Sequence, residues 1–169
     1  MPNLIDVKFF VGEINIPNTT KLEVEESLNV FISKYEKQLL KQMLGYELWK
    51  SYNDDNTTPR FVDLIDGKDE WQGLVYDITD TVQGSLIANY VYCYWLRDKQ
   101  IWNSGLGTVR PKPDSAEIMP LYMKYMEAWN SCSEQIWDFV KYMEASSDVY
   151  PEWKPVDLWM LRSVNDFDL

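Results

Sequence analysis

Between residues 86 and 96 the chain reads Leu-Ile-Ala-Asn-Tyr-Val-Tyr-Cys-Tyr-Trp-Leu, eleven residues of which only Asn89 is neither apolar nor aromatic. A helix that is apolar all round has no face to offer water, so this run predicts a central helix wrapped by the rest of the chain. It is too short to cross a bilayer, which takes about 18 to 20 apolar residues. The remaining sequence must therefore supply the shell. With 169 residues, 46% hydrophobic and 15% aromatic, there is enough chain for one domain with a substantial core.

The shell is legible as amphipathic helix. From Leu22 onward Val24, Leu28, Phe31, Ile32, Tyr35, Leu39 and Met43 recur at steps of three and four, with Glu23, Glu25 and Glu26 near the start and Lys34, Lys37 and Lys41 further on. That polarity suits the helix dipole, and Gly45 supplies a residue able to take the left-handed conformation that closes a helix. Residues 46–52 continue for another turn or two before Asn53, Asp54, Asp55, Asn56 and Pro59 break the pattern. A short helix is expected over 60–65 and a polar loop carrying Trp71 over 67–73. The helical pattern is then expected to resume at Leu74 and run through the central helix to about Asn103. A broad stripe of Tyr122, Tyr125, Met126, Trp129, Cys132, Ile136, Phe139, Val140 and Met143 predicts a last long helix, with Pro120 in its first turn.

The flanks differ. Residues 7–16 carry β-branched and aromatic side chains around Gly12 before a turn at residues 17–20, which predicts a short strand or an extended arm. Residues 104–115 hold two glycines and two prolines, incompatible with regular helix, and a loop of that length is a candidate for function. Pro151 and Pro155 end the regular pattern, and the tail to Leu169 keeps Trp153, Trp159, Met160, Leu161 and Phe167, which should be docked on something. The expected architecture is mainly α: a single-domain helical bundle over 1–169, with an N-terminal arm (1–20), a helical core (21–145) and a C-terminal tail (146–169). No basic segment followed by a long apolar run opens the chain, so the expectation is a soluble protein made in a cytoplasm, with Cys93 and Cys132 as buried, unpaired hydrophobes.

The chemistry available is narrow. The chain has no histidine, which removes the commonest general base and metal ligand and any nucleophile paired with imidazole. Gly105-Leu106-Gly107-Thr108 is a lone Gly-x-Gly that follows a helix, a turn and not a phosphate cradle. Asp63, Asp66, Asp69 and Glu70 cluster, but counting back from Gly67 gives Val62, Leu64 and Asp66 where a calcium loop needs three oxygen ligands. A solvated acidic loop is the better reading. A pair of carboxyls serving glycoside hydrolysis would need a defined separation across a cleft, which no spacing in the chain indicates. No catalytic residue, cofactor or metal is expected, and the chain reads as a non-enzyme. Sixteen basic against 27 acidic residues, net −11, also disfavours generic binding to a phosphate backbone.

Eight tryptophans remain to be placed, and those in loops or at helix ends, Trp71, Trp102, Trp153 and Trp159, are the harder ones to bury. Tryptophan anchors protein interfaces, so these point to a self-assembling or partner-docking protein.

The segment 31–49, Phe-Ile-Ser-Lys-Tyr-Glu-Lys-Gln-Leu-Leu-Lys-Gln-Met-Leu-Gly-Tyr-Glu-Leu-Trp, resembles the amphipathic helix ending in Leu-Gly, then a Glu-Leu-Tyr type turn, of tailed-bacteriophage head-tail connector (adaptor) proteins. Residues 10–16 resemble the arm before that helix, and 87–98 followed by 105–109 resemble its central helix and glycine loop. Ala128-Trp129-Asn130 and Tyr150-Pro151-Glu152-Trp153 resemble the last helix and its exit. The set is most similar to versions from phages of gut Bacteroides-type bacteria.

The resemblance implies a structural virion protein, made in the host cytoplasm. It would form a homo-oligomeric ring of about twelve copies beneath the portal, join the capsid vertex to neck or tail proteins, and extend a channel through which DNA passes without specific binding. Such a ring is a head-to-tail assembly needing two different complementary faces on each subunit. The expected interface residues are Leu106, Val109 and Arg110 in the loop, and Trp153, Trp159, Leu161 and Phe167 in the tail. An acidic wall would repel the duplex and keep it sliding. Two rivals stand beside this: an acidic monomeric inhibitor or DNA mimic, which the apolar loop and tail do not suit, and a small enzyme working through carboxylates alone.

Overall fold

A computed structural model describes residues 3–99, 102–104, 107–109 and 121–154. The helix α3 (Leu86–Lys99) is the buried run, with ten of its side chains inside, and it lies between α1 (Leu22–Asp54) and α4 (Leu121–Ala145). Ser85 caps its start: the Ile87 N–H donates to Ser85 Oγ at 3.0 Å, while Ser85 Oγ donates to the Leu74 carbonyl at 2.7 Å. Each large apolar side chain sealed in this way contributes about 1.5–3 kcal/mol over an exposed one. The protein is mainly α, as the pattern predicts. Among the described residues no helix is long and apolar enough to cross a membrane.

Aromatic side chains join the three long helices. Tyr35 of α1 stacks on Tyr94 of α3 with ring centres 4.0 Å apart, and Phe31 meets Trp95 edge-on at 5.3 Å. Tyr90 continues the contact to Trp129 of α4. Cys93 and Cys132 are buried and unpaired as expected, and burial pushes the Cys93 thiol up to about 12.

Gly45 does take positive φ, but the helix resumes after it. At φ 71° and ψ 172° the residue occupies a region essentially restricted to glycine, and α1 is two helices joined by this kink. A break there frees carbonyls of the preceding turn. One of them, Met43 O, accepts from Trp153 Nε1 at 3.0 Å. The short helix α2 (Pro59–Asp66) follows, and α1 and α2 are tied to the far end of the described chain: Arg60 bonds both carboxylate oxygens of Glu152 at 3.0 Å.

Three expectations need correction. Residues 7–16, expected as a short strand or an extended arm, form two 3-10 turns, Val7–Phe9 and Gly12–Ile14; Asp6 accepts from the Lys8 N–H at 2.8 Å and caps the first turn, and among the described residues no strand pairs with this stretch. Residues 75–85, expected as helix, make an antiparallel hairpin of β1 (Val75–Thr79) and β2 (Val82–Ser85) around a two-residue loop. Val75, Tyr76, Ile78, Thr79, Thr81 and Val82 are strand formers, and that preference overrides the helical spacing. The glycine and proline segment, expected as irregular loop, begins within a second small hairpin of β3 (Trp102–Ser104) and β4 (Gly107–Val109).

Candidate interaction surface

Beside the β1–β2 hairpin lies an open groove of about 470 Å³, walled by the hairpin and the second arm turn and floored by α3 and α4. Its walls carry Val11, Ile14, Ile78 and Val82, and its floor carries Asn89 and Ser131. Ile78 is 59% exposed and Val11 38%, so these aliphatic side chains face solvent.

A hydrogen bond from α4 ties the hairpin to this floor, and another joins the two floor helices. Gln135 of α4 donates to the Tyr76 hydroxyl at 3.0 Å, and Asn89 Nδ2 reaches Ser131 Oγ at 3.4 Å. Tyr76 pairs across the ribbon with Gly84, where a Cβ would come within 2.6 Å of the Tyr76 ring. Glycine there lets the ring lie across the neighbouring strand, and the ring in turn forms part of the groove wall. Burial raises the Tyr76 hydroxyl above its usual range, so it stays a neutral hydrogen-bond partner.

Of the expected interface residues, Leu106, Arg110, Trp159, Leu161 and Phe167 lie outside the described residues. Val109 pairs through its backbone with Trp102 at the end of the second hairpin. Trp153 is built into the subunit itself: it is buried, edge-on to Phe139, and donates to Met43 O. Trp71, expected to be hard to bury, is likewise inside, stacked on Tyr142 and donating to the Leu64 carbonyl at 2.9 Å. Among the described residues Trp137 is the tryptophan that stands out, half exposed on α4.

The acidic loop has a structural use. Asp63 pairs with Lys68 at 2.7 Å, and Lys68 bridges by backbone to Trp71, which seats the indole. No group of three or more potential metal ligands converges among the described residues. The groove is not legible in the sequence because its lining comes from three stretches far apart in the chain, 9–14, 76–89 and 131; the alternation of Tyr76 and Ile78 ahead of a turn is the available signal. Comparison of the chain with family models, with curated proteins and with solved structures finds no match.

Proposed function

We propose that this chain is a structural subunit of a phage connector ring, joining portal to neck and extending the DNA channel. Two things support the reading: the ordered set of motifs that resemble that family along most of the sequence, and the uncovered aliphatic groove. The groove is the structural observation that carries it. An apolar surface with a polar floor suits a protein partner, and one such face per subunit is half of what a head-to-tail ring needs. The other half is assigned to Leu106, Val109 and Arg110 with Trp159, Leu161 and Phe167. The surplus of acids serves the channel, where like charge keeps DNA from sticking.

The test is assembly. Purified protein is imaged by negative stain alone and with the portal protein of the same genome, alongside Ile78→Asp and a deletion of residues 104–115. Rings of about twelve subunits that form on the portal with the native chain and fail with either folded variant support the reading. A chain that stays monomeric at every concentration and ignores the portal overturns it.

A further inference from the structure

Among the described residues Glu36 is the buried carboxyl, 6% exposed, on the stretch of α1 before the Gly45 kink. Its oxygens take two consecutive backbone groups of the N-terminal arm: the Leu4 N–H donates to Oε1 at 2.9 Å and the Ile5 N–H to Oε2 at 3.4 Å. Nearly one turn earlier on α1, Ser33 Oγ accepts from Asn3 Nδ2 at 3.0 Å. Residues 3–5 thus lie as a strap across α1, fastened largely by one carboxyl and by the buried Ile5 side chain.

No basic group pairs with that carboxyl among the described residues. The titratable groups sharing its small cavity are Lys37 from the same helix and Tyr52 from beyond the kink. On the strap side Asp6 is exposed and caps the Lys8 N–H. Among the described residues Glu36 therefore carries its charge into the interior with two N–H donors and no counter-ion, an arrangement whose desolvation cost is high.

We propose that residues 3–5 and Glu36 form a proton-controlled latch, closed on α1 when the carboxyl is protonated and loosened when it ionises. Protonation forfeits one acceptor, most cheaply the longer bond to Ile5, and removes the buried charge. Burial, outweighing the two N–H bonds, raises Glu36 from 4.5 to about 7. Lifting the strap returns it to water and to its ordinary value. Between those values the closed form holds more protons than the open form, so closure weakens as pH rises through this window and levels off above it. Opening should increase on the order of fifty- to a hundredfold between pH 5 and pH 8, since each unit of difference is a factor of ten. This latch goes beyond the ring reading and does not depend on it.

Hydrogen exchange of the Leu4 and Ile5 amides in the full chain, corrected for intrinsic rates, measures the opening. The expected result is the stated rise in the native protein, and slow, pH-independent opening in Glu36→Gln, which keeps an acceptor but cannot ionise. A carbon-13 titration of the Glu36 carboxyl in the native protein needs no variant and decides the matter if Glu36→Gln does not fold. Titration near the ordinary glutamate value, opening that is flat with pH in the native chain, or unchanged pH dependence in Glu36→Gln would each overturn the latch.

Discussion

Two regions pack against α4, and they end up in opposite states. Around residues 146–153 the chain is locked down: Tyr150 donates to the Arg60 carbonyl, Trp153 to Met43 O, and Glu152 holds Arg60. Around the β1–β2 hairpin and the second arm turn, Val11 and Ile78 stay in water. Both regions are rich in apolar side chains. The difference is that tryptophan and tyrosine carry a polar tip, and helix ends and loops leave carbonyls that such a tip satisfies. Aliphatic side chains have no polar tip to anchor them in this way, and Val11 and Ile78 stay exposed.

Substitutions on the two sides should separate them. The largest effect is expected for Trp153→Ala, which empties a core site and orphans the Met43 carbonyl; a loss of about 3–5 kcal/mol should appear as a lower urea midpoint. Gly45→Ala comes next, forcing a side chain into a glycine-only conformation at the turn Trp153 caps, with a cost of about 1–3 kcal/mol by the same assay. Tyr150→Phe leaves the Arg60 carbonyl without its phenolic donor and should cost about 1–3 kcal/mol with helicity unchanged by circular dichroism. Smallest for stability is Ile78→Asp, expected within about 0.5 kcal/mol of the native chain, yet abolishing assembly on the portal. Should Ile78→Asp unfold the protein as readily as Trp153→Ala, the groove is core and the contrast collapses.

Much of this was readable in the residues. Periodicity placed α1 and α4 and marked Gly45 as special, but Trp137, not among the tryptophans expected to be hard to bury, is half exposed. Loop position misjudged Trp71 and Trp153, because what buries them is a carbonyl donated by a different segment in each case. Glu36 gave no signal, since a glutamate on an amphipathic helix looks solvated until an arm about thirty residues earlier crosses it. The hairpin at 75–85 was hidden by apolar spacing that suits helix and strand alike over so short a span.

By itself the sequence determined that a largely apolar helix sits at the centre, that amphipathic helices surround it, and that no histidine is present, because side-chain periodicity and composition are local properties. Only the tertiary structure decided which carbonyls the aromatic tips reach, which carboxyl is sealed beneath the arm, and which aliphatic side chains stay uncovered. Those outcomes depend on segments far apart in the chain meeting in space, and burial and hydrogen bonding are set by that meeting.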